Sequence, residues 1–146
     1  MIGPQRADVE TIDALITTLY ETITGPAGPR DWDRERHIFA PSARLMPTRF
    51  AEDGSHSIQI LDNEGYITSR TPFFQKTSFY EKEVSRREER FGKIAHVWSA
   101  YEGRYTPDGE VVLRGVNSFQ LYHDGDRWWV VSMLWDNERT GIPLPA

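Results

Sequence analysis

The 146-residue chain contains no cysteine. That excludes a disulfide framework and any thiolate metal site, and it fits a reducing compartment. No run approaches the ~18 consecutive apolar residues that a spanning helix needs. The opening MIGPQRADVETIDAL lacks the basic region followed by an apolar stretch that marks a signal peptide. The expected location is therefore cytoplasmic, with no membrane partner. An excess of positive charge is missing too. The formal net charge is −5, so no electrostatic footprint for nucleic acid is expected. The one basic cluster, SRREER at 85–90, alternates with acids that cancel its attraction for phosphate, and it reads as the solvated face of a strand. A phosphate loop, a nucleophile elbow and a Gly-rich dinucleotide fingerprint are all lacking. Neither a cofactor nor a metal is expected.

Aromatic side chains, by contrast, are plentiful: they make up 12% of the chain and include five Trp. That is enough large apolar surface for one core, and residues 1–146 are read as a single domain. After Asp8, a plausible N-cap, Val9, Ile12, Ile16, Leu19, Tyr20 and Ile23 recur at helical spacing, and Gly25-Pro26 ends the run. A shorter helix from Asp31 carries Trp32 and Phe39 seven residues apart on one face, with Pro41 closing it. Short strands are expected at 42–50 and 55–61. A third helix capped by Asp62 or Asn63 follows, carrying Tyr66 and Ile67, with Pro72 disturbing its end. From Thr77 onward the pattern changes to four β-prone runs at 78–91, 93–105, 111–123 and 128–138, punctuated by Phe91-Gly92, Pro107-Asp108-Gly109 and Asp124-Gly125-Asp126. Helices gathered in one half and an antiparallel meander in the other define an α+β fold, with helices on one face of a sheet.

Side chains alternate along a strand, so the meander sorts into two faces. If both hairpin loops hold an even number of residues, Ala100 pairs with Asn117, and Asn117 with Leu134. One face then gathers His96, Trp98, Glu102, Asn117, Phe119 and Asp136, and the other Ser99, Tyr101, Ser118, Trp129, Met133 and Trp135. An odd loop flips one strand against its neighbour. The last strand, WWVVSMLW, is apolar on both faces. One face must cover the helices, and the simplest cover for the other is a second copy of the chain, giving a homodimer.

The order of an N-terminal helix, a short helix running into HIFAPSARL, and a closing hairpin RGVNSFQLYHDGDRWWVVSMLW resembles the nuclear transport factor two-like superfamily. Within it, the likeness is to the SnoaL-like, ketosteroid-isomerase-like branch of small bacterial proteins, and it covers nearly the whole chain. The resemblance implies a cone-shaped, curved antiparallel sheet, a half-barrel whose concave face packs three N-terminal helices around a deep pocket. It also implies dimers through the outer sheet face. Two functions are compatible with it: binding of a small hydrophobic organic ligand, with cofactor-free acid–base catalysis of isomerase, dehydratase or cyclase type, or a non-catalytic dimerisation or interaction domain. Fold does not choose between them. The isomerases that it resembles place a carboxylate base just after the second helix. The corresponding stretch here, Ala43-Arg44-Leu45-Met46-Pro47, contains no acid.

On the even-loop register, Glu102 and Asp136 are the sharpest candidates for catalysis, since two carboxylates in one apolar pocket split into an acid and a base. His96 can shuttle protons near neutral pH, and no second His or acid lies at metal-ligand spacing to it. Asn117 can polarise a ligand carbonyl as an amide donor. Tyr20, Trp32, Tyr66, Phe73 and Trp98 are expected to line the ligand site, although core packing explains the helical aromatics equally well. Asp33 and Arg36 read as an exposed ion pair of small energetic consequence.

Overall fold

The computed structural model describes residues 1–139 and 141–144. After a 3-10 turn at Arg6–Val9, helix α1 (Ile12–Ile23) and helix α2 (Trp32–Ile38) lead into strand β1 (Phe39–Phe50). Strand β2 (His56–Ile58) and helix α3 (Asn63–Lys76) follow, then β3 (Tyr80–Phe91), β4 (Ile94–Arg104), β5 (Leu113–His123) and β6 (Trp128–Asn137). No helix among the described residues is long and apolar enough to cross a membrane. The six strands form one curved, unclosed sheet in the order β2-β1-β6-β5-β4-β3. Every pairing is antiparallel except β1 with β6, which is parallel. The sheet is thus a meander from β3 to β6, with β1 and β2 added alongside β6.

Local chemistry sets the element ends. Thr11, not Asp8, caps α1: its side chain accepts the Ala14 amide at 3.0 Å. Asp8 is buried and accepts two hydrogen bonds from the Arg34 guanidinium, at 2.9 and 3.0 Å. That fork ties the N-terminal turn to α2, and it holds the Asp8 carboxyl below its ordinary range. Asp31 caps α2, the helix expected to start there, and of the two candidates Asp62 and Asn63 it is Asp62 that caps α3. Pro72 sits inside α3, which runs on to Lys76. Pro41 lies within β1, where the register to β6 shifts between Phe39 and Arg44, so the lost amide falls in an irregular part of the ladder.

The helices pack on the concave face. Ile12, Leu15, Ile16 and Leu19 of α1 share one core with Val97, Phe119, Leu121 and Val130 of the sheet. Each such side chain contributes about 1.5–3 kcal/mol on full burial.

Two features set which residues that face receives. The last pair joining β4 to β5 is Gly103 with Leu113, which encloses residues 104–112, an odd count, so Ser99 rather than Ala100 pairs with Asn117. The β5–β6 connection, 124–127, is even, and Trp128 and Val130 face inward as expected; then Val131 bulges, and Asn117 pairs with Trp135 instead of Leu134. Relative to the even-loop reading, all of β4 and the second half of β6 are turned over. The inner face carries Val97, Ser99, Tyr101, Asn117, Phe119, Met133 and Trp135. His96, Trp98, Glu102, Leu134 and Asp136 face outward.

Candidate functional site

Between α3 and the concave sheet lies a cavity of about 410 Å³. Tyr66, Ser69, Arg70, Phe73 and Phe74, spaced along one face of α3, supply one wall. Tyr101, Asn117, Met133, Trp135 and Asn137 supply the sheet side, and Phe79 and Glu81 stand at the start of the meander. The aromatic wall is braced edge to face. Tyr66 meets Trp135 with ring centroids 5.9 Å apart, and Trp32 supports Tyr66 from behind at 6.4 Å. Phe73 stacks edge-on to Phe79 at 5.7 Å.

Room for the cavity comes from glycine. Gly115 lies directly opposite Tyr101 in the ladder. A Cβ there would collide with the Tyr101 hydroxyl and with the Asp136 carbonyl oxygen. The phenol therefore lies across Gly115 and donates to Asn137 Oδ1 at 2.6 Å. Gly103 performs a like service opposite Glu81, where a Cβ would press on the Phe79 ring.

Glu81 is the acid of this cavity. It lies on β3 across from Gly103, half-buried, and among the described residues its carboxyl has neither a hydrogen-bond partner nor a cation. Burial alone pushes it up to about 8. The neighbouring phenols respond in kind: Tyr20, Tyr66 and Tyr101 are all raised, mainly by burial and in part by the charge of Glu81. A carboxyl of this kind is neutral at pH 6 and ionises just above neutrality, the condition for moving protons in either direction.

Beneath the cavity floor a directional chain of hydrogen bonds holds Asn117. Its Nδ2 donates to the Tyr20 hydroxyl at 3.0 Å, and Tyr20 and Ser99 are 2.7 Å apart. Ser99 donates to Glu83 Oε2 at 2.5 Å, and Arg86 closes on Glu83 at 2.8 Å. Since Ser99 spends its proton on Glu83, Tyr20 must donate to Ser99 and accept from Asn117. Glu83 is thus ion-paired and occupied, whereas Glu81, two residues earlier on the same face, has no such partner among the described residues.

Of the residues singled out in the sequence, Tyr66, Phe73 and Asn117 line this cavity. Tyr20 and Trp32 stand one layer back, Tyr20 under Asn117 and Trp32 behind Tyr66 and Phe74. The remaining four do not come together here. Glu102 faces outward between Arg114 at 3.0 Å and Arg104 at 3.4 Å, and these cations lower its pKa rather than raise it. Asp136 pairs with Arg139 at 2.9 Å and is likewise lowered. His96 meets Glu89 at 2.8 Å in an exposed pair, and Trp98 is 47% exposed. The physical reason is the parity change described above, which sends these four to the outer face. Asp33 and Arg36 do pair, at 2.9 Å, with Glu64 joining from α3.

Sequence reasoning missed Glu81 because it sits in YEKEVSRREER, whose charge density reads as solvated throughout. The available signal was its two-residue spacing from Glu83, opposite a strand containing Gly103. A second raised carboxyl, Glu35, lies outside the cavity. It is fully buried between α2 and α3, accepts Asn63 Nδ2 at 2.7 Å, and burial pushes it to about 8.

No family description matches the chain, and no curated protein matches it. Solved structures do. One is an NTF2-like protein of unknown function from Shewanella baltica, at 15% identity and TM-score 0.54 over 88% of this chain and 91% of that one. A protein of unknown function with a cystatin-like fold from Nostoc punctiforme is 12% identical, with TM-score 0.67 and 92% of both chains covered. A chain in the yeast complex of the deubiquitinase Ubp3 and its cofactor Bre5 is 14% identical, with TM-score 0.60 over 88% of this chain and 95% of that one. These likenesses establish the fold: an NTF2-like α+β cone, in agreement with the resemblance read from the sequence.

The raised Glu81 carboxyl has a sign that stability can read. Its native value of about 8 exceeds an unfolded value of about 4.3. The stability tied to its neutral form is complete below the unfolded value and is lost as pH climbs through 8. Glu81→Gln cannot titrate, so the variant's Tm relative to the wild type should rise from pH 5 to pH 8.5 and level off above. Glu35 is common to both proteins and cancels. A Tm difference independent of pH would show that Glu81 is not held neutral.

Proposed function

We propose that this protein binds a small, largely apolar organic molecule in the α3–sheet cavity and that Glu81 exchanges a proton with it. The observation that carries this reading is a carboxyl with no partner among the described residues, in a cavity that aromatic rings and the amides of Asn117 and Asn137 also line. Asn117 Nδ2 donates one hydrogen to Tyr20, leaving its second N–H available. Asn137 accepts from Tyr101 through Oδ1, leaving its Nδ2 available. Glu81, Asn117 and Asn137 all line the same cavity, so a ligand carbonyl held by these amides shares that space with the Glu81 carboxyl.

The chemistry that fits is cofactor-free acid–base work of the isomerase or dehydratase type. Glu81, ionised, takes a proton from the carbon next to the carbonyl. The C–H bond breaks, an O–H bond forms on Glu81, and the electron pair passes to the carbonyl oxygen, where the amide N–H groups stabilise it. Returning the proton to a different carbon completes an isomerisation; delivering it to a β-hydroxyl, which leaves as water as the C–O bond breaks, completes a dehydration. This base sits on β3 instead of after the second helix, so the reading reassigns the catalytic role from Glu102 and Asp136 to Glu81. SnoaL-like relatedness and a cytoplasmic setting accord with it.

The reading is tested by deuterium exchange at the α-carbon of an apolar bicyclic ketone such as 2-tetralone in deuterium oxide, followed by NMR. Wild-type protein should exceed the buffer rate, with a rise between pH 7 and 9 as Glu81 ionises. Glu81→Gln should lose roughly 10²-fold or more of that excess. An excess rate that survives in Glu81→Gln contradicts the assignment.

A second reading, the interaction domain, has one observation in its favour. The outer sheet face exposes Trp98, Leu134, Val131, Tyr122 and Ile94, and beside it Trp98, Val116 and Leu134 form a groove of about 400 Å³ with Ile142, Pro143 and Leu144. The proposed occupant is a second copy of the chain, which supports a dimer with or without catalysis. Sedimentation velocity should give a dimer at micromolar concentration that Leu134→Glu converts to monomer. A wild-type monomer would remove the dimer from the account.

A further inference from the structure

The arginines of this acidic chain mostly pair with carboxylates: Arg6, Arg34, Arg36, Arg86, Arg114 and Arg139 all do so. Two that open on the cavity do not. Arg49 of β1 and Arg70 of α3 both line it, and neither pairs with a carboxylate among the described residues. Arg49 is exposed and gives one N–H to Gln59 Oε1 at 3.1 Å. Arg70 is half-buried, its guanidinium 5.4 Å from the centroid of the Tyr66 ring, and its weak contact to Ser69 is 3.4 Å long. Each therefore keeps most of a guanidinium fork free for an acceptor.

Their place in the fold separates them from Glu81. In the sheet order β2-β1-β6-β5-β4-β3, Arg49 and Glu81 stand on strands four spacings apart, at about 4.8 Å per spacing, with curvature shortening the chord. The electrostatics agree. Tyr66, raised mainly by burial, feels both Arg70 and Glu81 and so lies between them, whereas Glu81 itself is shifted by burial and by no cation among the described residues. The cavity thus has a cationic lip on the β1–α3 side, an aromatic waist at Tyr66, Trp135 and Phe73, and a protonatable carboxyl at the far end.

We infer that the ligand of this cavity is an organic anion: an aromatic or alicyclic body bearing a carboxylate that Arg49 and Arg70 bind at the lip. The inference rests on the cavity being a ligand site and deepens that reading by naming the ligand class. The same arrangement fixes polarity. The carboxylate end stays near solvent, and the neutral, reactive end enters toward Glu81. A protonated Glu81 admits such a ligand without repulsion; an ionised one disfavours a ligand entering acid end first. The arginines are positioning residues here, since they hold the ligand remote from the proton transfer.

The test compares two probes of equal shape, naphthalene-2-acetate and naphthalene-2-acetamide, by isothermal titration calorimetry at pH 6.5 and low salt. Wild-type protein should bind the acid at least tenfold more tightly than the amide, and the preference should shrink as salt is added. In Arg49→Gln/Arg70→Gln the ratio of acid to amide affinity should fall to about one. Equal or stronger binding of the amide by the wild type overturns the inference and leaves the cavity reading standing, and this arm needs no variant. A preference that persists in the folded double variant also overturns it. If neither probe binds, the cavity reading and the inference fall together.

Discussion

A side chain on a strand points to one face or the other, so a single residue added to a loop or bulge decides which acids meet water. Here the odd connection between β4 and β5 and the extra residue Val131 turn Glu102, Asp136 and His96 outward. The same parity turns Ser99, Tyr101 and Trp135 inward. The outward acids satisfy themselves with arginines at the surface, where such pairs contribute little. Inside, the consequences are larger. Tyr101 needs the space that Gly115 leaves, Asn137 needs Tyr101, and Asn117 is fixed through Tyr20 and Ser99 to the Glu83–Arg86 pair.

Glu81 stands apart from that economy of partners. A charged carboxyl taken from water needs a hydrogen bond or a cation, and otherwise it stays neutral. Glu83, two residues on, shows the satisfied alternative within the same strand. The fold therefore tolerates one carboxyl whose ionisation costs stability, and it places that carboxyl where a cavity, two spare amides and an aromatic wall converge. Glu35 offers a useful contrast. Its carboxyl is as strongly perturbed, but it is sealed between two helices with Asn63, away from the cavity. Perturbation alone does not mark a site; perturbation beside accessible space and complementary polar groups does.

Much of the fold was legible in the sequence because its signals are local. The α1 stripe, the caps Asp31 and Asp62, and the three turn signals of the meander each depend on a few adjacent residues. The parallel seating of β1 against β6 depends on contacts distant in sequence and was not readable in this way. Nor was the register. Trp128, Val130, Phe119 and Asn117 fell on the expected face because they precede the bulge or lie on β5, whereas every β4 assignment turned over with one loop residue. Glu81 was hidden for a different reason. In a strand crowded with Glu and Arg, composition cannot distinguish the one acid opposite a glycine from those that face water.

The most direct test of this account is the titration of Glu81 itself, followed through the side-chain carboxyl carbon by ¹³C NMR, with Glu81→Gln identifying the resonance. The account predicts a midpoint near pH 8, so that the group is neutral at pH 6 and ionised at pH 9.5. A midpoint in the ordinary glutamate range, about 4.3, would mean that water or an unseen partner satisfies the carboxylate. The cavity would then hold no acid–base group poised near neutrality, and the proposal for Glu81 would be contradicted.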